Sequence, residues 1–399
     1  MKKLITVFAI LAASIFNIYA DTITEVEYKG LWRTKESYIK KQTGELTGKN
    51  FSELDTEDLK EKILVGGQFS ECEITFIETD KEAGLLEITL QEKLSIIPLP
   101  LFSWSDVGFT GGIILMDTNA FGMGNTFMTG AIFSKESVNT MVSYQKNAES
   151  LTKPGFLLYG GYAKSDYEVT SLDTEDLYSI NAHRIVAKAG ISFEKCENFS
   201  FGANFCFYDI ISCEKDYDSS FEFDFAPFAE YSSSKLSGWF ISKDEIGLEG
   251  EAGISSDGDF VYFANAQAIK NIKLCDRIRT LFRISGALEN NKAIMNQLKR
   301  DDIFSSIIPA HFYSEKMAGS DLGIEIGIAK CKFVMCSMFT SFQGALIEDY
   351  DKSAEFVYGP SGGLRLYLPQ VNLPAMSIEA AYNIPKNYMQ FVMSLGISL

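Results

Sequence analysis

Residues 321–329 read Asp-Leu-Gly-Ile-Glu-Ile-Gly-Ile-Ala, with Leu322, Ile324, Ile326 and Ile328 on one side of an extended chain and Asp321, Gly323, Glu325, Gly327 and Ala329 on the other. Successive side chains of a strand point to opposite faces, so this stretch has one apolar face and one that is small or charged. Residues 199–208 repeat the pattern: Phe199, Phe201, Ala203, Phe205 and Phe207 oppose Ser200, Gly202, Asn204, Cys206 and Tyr208. In a soluble sandwich the apolar face would line a core. In a membrane barrel it meets lipid, and the polar side fills the lumen. Charges that persist to mid-strand on the polar side favour the barrel; they are Glu249, Glu251, Arg279, Arg283, Glu325 and Arg365.

Outward from these segments, about ten alternating residues followed by a polar turn recur from residue 103 to residue 399. About 15 such segments can be counted, and single-chain bacterial barrels have even strand numbers, so the expected fold is mainly β: a transmembrane antiparallel barrel of 16 strands with short loops. The last segment sets Phe391, Met393, Leu395, Ile397 and Leu399 on one apolar face against Gln390, Ser394, Gly396 and Ser398. Composition agrees. The chain is 46% hydrophobic, with 31 Phe, 18 Tyr and 31 Gly. Past the N-terminus no stretch approaches the run of about 20 apolar residues that a spanning helix needs, whereas a barrel strand needs only about 9–11.

The N-terminus reads as an export signal over 1–20, with Lys2 and Lys3 before an apolar run from Leu4 to Phe16 and Ile18-Tyr19-Ala20 as the cleavage site. The alternative, a membrane anchor, needs a longer run. Loss of those two lysines takes the formal charge from -17 to -19. That balance argues against nucleic-acid binding, which calls for a basic surface. Seven cysteines without a CxxC pair, and only two histidines (His183, His311), give a metal site little support, and no cofactor is expected. Cys196 with Cys213 and Cys331 with Cys336 are the candidate disulfides.

Residues 21–94 have a different texture: a strand near Ile23 to Tyr28, two helices, then strands Cys72 to Glu78 and Leu85 to Glu92. Ser52 is read as the cap of the second helix and Asp55 as its capping-box acid, with Leu54, Leu59, Ile63 and Leu64 as the apolar stripe. The order βααββ makes a small α+β domain with a three-stranded sheet. Residues 95–102, rich in proline (Pro98, Pro100), read as an extended linker to a barrel over 103–399.

The run from Tyr28-Lys29-Gly30 through Gly66-Gly67-Gln68-Phe69 to Leu90-Gln91-Glu92 resembles one POTRA domain of the BamA/TamA-type outer-membrane assembly family. Asp117-Thr-Asn119-Ala-Phe121-Gly122-Met-Gly124 resembles the hairpin that opens barrels of that family, and Gly359 to Pro369 its glycine-rich G-L-R segment. The chain is thus identified as resembling a reduced member with one POTRA. The resemblance implies a non-enzymatic role: the domain, in the periplasm, would capture unfolded outer-membrane or secreted clients by edge pairing, with accessory periplasmic subunits, while the barrel sits in outer-membrane lipid. Ile74 and Phe76 mark the candidate client-binding edge. Phe391 to Leu399 is the expected targeting strand and one side of the barrel seam. Gly108, Gly111 and Gly112 are assigned to a weakened first strand on the other side, a gate or equally a bend.

The family carries a lumenal loop Arg that pairs with acids on neighbouring strands. Here the corresponding stretch, Pro309-Ala-His311-Phe312-Tyr313, has no Arg, and Phe339-Thr-Ser-Phe-Gln-Gly344 has no Asp. Glu325 remains, and Arg365 is its candidate new partner; the alternative is two independent lumen charges. Gly359-Pro-Ser361-Gly-Gly363 also matches the G-x-S-x-G elbow of hydrolases, which would need a strand-turn-helix setting and a histidine. A passive channel or surface-exposed structural barrel is the competing role.

Overall fold

The computed structural model describes residues 22–395, apart from positions 66, 81–82, 106–107, 136, 197, 215–218, 238, 292–295, 304, 332–333, 350–351 and 368–373. The export signal expected over 1–20, and Ile397 and Leu399, lie outside the described residues. The chain divides into two compact units. One takes residues up to Ile97 with Met116–Phe127, the other Pro98–Leu115 with all that follows Met128.

The first unit contains β1 (Ile23–Lys29), α1 (Glu36–Thr43), a 3-10 turn Phe51–Glu53, α2 (Thr56–Val65), β2 (Phe69–Asp80) and β3 (Ala83–Glu92). β3 is the middle strand, parallel to β1 and antiparallel to β2. Ile23, Ile39, Ile63, Leu86 and Ile88 are fully buried between sheet and helices. The cap of α2 differs from the sequence reading. Asp55 is itself the cap, its Oδ1 accepting from the backbone N–H of Glu57 (3.1 Å) and Asp58 (3.0 Å), while Ser52 lies in the 3-10 turn. A carboxylate there satisfies two orphan donors and meets the positive end of the helix. Burial pushes the Cys72 thiol on β2 above its ordinary pKa.

The barrel is formed by β4 (Ile96–Ser105), β5 (Gly108–Ala120), β6 (Asn125–Ser134), β7 (Ser137–Lys146), β8 (Gly155–Thr170), β9 (Asp176–Cys196), β10 (Phe199–Ser212) and β11 (Ser220–Ser237), followed by β12 (Phe240–Ser255), β13 (Phe260–Cys275), β14 (Ile278–Glu289), β15 (Lys316–Lys330), β16 (Met335–Glu348), β17 (Ala354–Tyr367), β18 (Pro374–Asn383) and β19 (Tyr388–Leu395). These sixteen strands neighbour one another in chain order, and β19 closes the ring on β4. On β15 exposure alternates without a break from Lys316 to Ile328: Leu322, Ile324 and Ile326 face out, Asp321 and Glu325 face in. The exterior carries Phe205 (66% exposed), Phe223 (60%) and Leu322 (61%), while Glu325 and Gln343 inside are at 0%. An apolar exterior of this extent around a polar interior suits lipid. No described helix is long and apolar enough to cross a membrane.

Three expectations need correction. The stretch 95–102 is not a linker, because from Ile96 onward it is barrel strand β4. Gly108, Gly111 and Gly112 consequently sit on β5, the second barrel strand, and not at the seam. Nor are all loops short: residues 290–315, between β14 and β15, carry a 3-10 turn Arg300–Ile303 and bury Leu298, Ile303, Ile307, Ile308 and Phe312 inside the barrel. All seven cysteines are free thiols, so neither candidate disulfide forms.

Candidate functional site

The polar lumen face of β14 to β17 converges on Glu325. Arg279 lies directly across the β14–β15 ladder from it. Its Nε and Nη2 donate to Glu325 Oε2 at 3.0 and 2.7 Å, and Arg365 Nη1 on β17 donates to the same oxygen at 3.2 Å. The other oxygen accepts from the Tyr367 hydroxyl at 2.7 Å and from the Ser337 hydroxyl. Tyr367 in turn accepts from Arg279 Nη2 at 2.9 Å. The Phe240 ring lies 4.7 Å from the Arg279 guanidinium, and the Phe339 ring 3.9 Å from that of Arg365. Every partner of the carboxylate is thus a donor aimed at it from a rigid strand, in a setting that excludes water. Four positions along the same ladder, on the same face, Arg283 Nε donates to Asp321 Oδ2 at 3.0 Å.

The expected Glu325–Arg365 contact is therefore present, but Arg279 makes the shorter one. Arg279 belongs to the polar-face charges that the alternation picks out. Its pairing depends on the β14–β15 register, which the intervening loop hides from sequence. Where the family resemblance calls for a loop Arg, residues 306 and 307 are held by neutral groups. Gln343 Oε1 accepts from the Ser306 N–H at 2.8 Å, and Asn383 Nδ2 donates to the Ile307 carbonyl at 3.0 Å. Phe312, in the expected loop stretch, is fully buried. Ser361 lies within continuous strand β17, its hydroxyl 2.8 Å from that of Ser341 and accepting from Gln343 Nε2 at 3.0 Å, which is not the geometry of a nucleophile elbow. The two histidines are elsewhere: His183 bonds Tyr162, and His311 the Glu168 carbonyl.

At the seam the described β4–β19 pairing covers three positions, Phe102 with Leu395, Ser103 with Ser394 and Trp104 with Met393. Phe391 and Met393 point outward, at 55% and 37% exposed.

In the first unit the residues from Asp117 to Gly124 form a tip held by the segment before α1. Arg33 Nη2 pairs with Asp117 Oδ2 at 2.7 Å, Asn119 Nδ2 donates to Thr34 Oγ1 at 2.8 Å, and Asn119 Oδ1 accepts from Gly124 N–H at 2.9 Å. Gly122 and Gly124 have φ of 72° and 67°, and a Cβ on Gly124 would lie 2.5 Å from the Tyr38 ring. The spacing of Asp, Asn and the two glycines is thereby accounted for. Ile74 and Phe76 lie on β2, an edge strand whose only described partner is β3. Their side chains pack into the domain core, Phe76 stacking on Phe51 at 4.9 Å, so only the backbone of that edge is free to pair.

No protein-family model matches the chain, and no curated protein matches it in sequence. Solved structures do. BamA from Haemophilus ducreyi lacking POTRA domains 1-3 superposes with a TM-score of 0.66 at 13% identity, over 94% of this chain and 84% of that one. CdiB from Acinetobacter baumannii gives 0.59 at 12% identity (94% and 74% covered), and CdiB from Escherichia coli 0.60 at 10% (94% and 76%). Fold and lumen together define the class: a 16-stranded antiparallel transmembrane β-barrel. Within that class the fold is that of BamA and CdiB.

Proposed function

We propose that this chain is an outer-membrane barrel that takes part in the insertion or translocation of client proteins, with its N-terminal POTRA-like domain in the periplasm and no enzymatic activity. The observation that carries the reading is the seam. There β4 and β19, the first and last strands of the ring, meet across almost the whole barrel sequence, while Ile303, Ile307 and Phe312 of the loop between β14 and β15 pack inside it. A wall that parts sideways next to a blocked pore suits delivery of strands into lipid better than free diffusion. The open backbone edge of β2 offers a place for an unfolded client to add a strand, and accessory periplasmic subunits would act through the same domain. In a background free of native cysteines, Ser103→Cys with Ser394→Cys bridges two register-paired positions. Oxidation is expected to lower the level of other barrel proteins in outer-membrane proteomics, as depletion of the whole chain would. A bridge that leaves the proteome intact and changes only permeability would instead establish a passive channel. That reading is favoured by the 500 Å³ chamber inside the barrel, whose lining includes the amides of Asn204, Asn265 and Gln267.

A further inference from the structure

A second lumenal cavity, of 340 Å³, lies beside β11 to β14 and the loop 290–315. Its described lining brings together six carboxylates, those of Glu222, Asp224, Glu249, Glu251, Glu289 and Asp302. Three cations face them. Arg184 and Lys188 both lie over the Tyr208 ring, at 4.9 and 5.6 Å, and no ion pair within 4.0 Å joins either to a described carboxylate. Lys299 lies 5.4 Å from the Tyr313 ring. Glu222 is satisfied, since Asn291 and Asn296 donate to it at 3.0 and 2.9 Å. Others are not. Asp224 Oδ1, Glu251 Oε1 and Glu289 Oε1 are buried with no hydrogen-bond partner, although Asp224 is only 6% and Glu289 only 2% exposed. Asp224 and Glu251 are diagonal neighbours on adjacent strands, Asp224 pairing with Gly253.

Buried acceptors without donors are costly, and like charges held together more so, unless something supplies both donors and positive charge. A bare metal ion does not fit, because no three acidic, His or Cys groups among the described residues converge closely enough to hold one. We propose that this cavity binds a small organic polyamine, whose ammonium groups donate to Asp224, Glu251 and Glu289 at once. Each ammonium carries three donors, and the spacing between ammoniums along an alkyl chain lets one molecule reach carboxylates that do not converge on a point. The cavity shares Glu249 with the amide-lined chamber, which gives the ligand a polar approach. The inference stands apart from any role in client insertion.

Isothermal titration of the folded full-length chain with spermidine, and separately with magnesium chloride at matched ionic strength, tests it. Spermidine is expected to bind at one site per chain and not to be displaced by magnesium. Asp224→Asn and Glu289→Gln are each expected to weaken it about tenfold, the effect of roughly one charge-assisted hydrogen bond. Asp224→Asn should also raise the thermal stability of the unliganded barrel, because it removes a buried charge with an oxygen that has no donor. Affinity and stability moving in opposite directions is a result that a purely structural role would not give. Absence of spermidine binding to the unmodified chain, displacement by magnesium at equal ionic strength, or unchanged affinity in both variants would overturn the proposal.

Discussion

Two groups of buried carboxylates share one lumen, and they are built on opposite principles. Around Glu325 a single acid has two guanidiniums, a phenol and a serine hydroxyl directed at it. In the cavity beside β11 and β12 the acids outnumber the cations, and three of their oxygens have no donor. Both groups sit on the same kind of strand in the same kind of setting. Burial alone therefore does not decide what a charged side chain is for; the supply of partners does. A closed arrangement holds strands together, whereas an open one is poised to accept a partner from outside.

The contrast can be broken most severely at Glu325. Glu325→Ala leaves Arg279 and Arg365 facing each other unpaired, and a loss of about 3–5 kcal/mol is expected, seen as loss of heat-modifiable migration of the folded barrel. Arg279→Ala should cost less, about 2–3 kcal/mol in the denaturant midpoint, because Arg365 still neutralises the acid. Arg365→Ala should cost less again, given its longer 3.2 Å contact. Asp224→Asn should act in the other direction and stabilise by about 1 kcal/mol, since it relieves a carboxylate without a donor. At the small end, Lys273→Ala should leave the midpoint unchanged. It pairs at the surface with Asp276 in the β13–β14 turn, at 2.6 Å, holding that carboxyl below its usual pKa, and such exposed pairs are screened by water and salt.

The alternation of residues 321–329 reads directly as a strand because its period is local, and the sixteen-strand ring follows from repeating it. The order βααββ is local too. What escaped the sequence depends on distant partners. Pro98 and Pro100 have the signature of a connector, and only the closing of the ring shows that they belong to its first strand. Ser52 and Asp55 are both good caps, and the choice rests on where the 3-10 turn ends. In residues 290–315 the apolar positions have no period of 2 or 3.6, because Ile307 and Phe312 pack against strands from several parts of the ring. Glu325 and Arg365 could be matched as opposite charges. Arg279 needed the register across a loop whose length the turn signals did not reveal.

The seam also has a kinetic meaning. Phe102 and Leu395, 293 positions apart in sequence, meet across almost the whole barrel. Bringing such distant points together in a flexible chain costs about 5 kcal/mol of loop-closure entropy beyond a constant, if nothing in between has formed. Closure becomes favourable only after the hairpins from β5 to β18 have zipped up and shortened the effective gap. The β4–β19 junction is then the last part of the ring to form, and thermal motion should open it before any other.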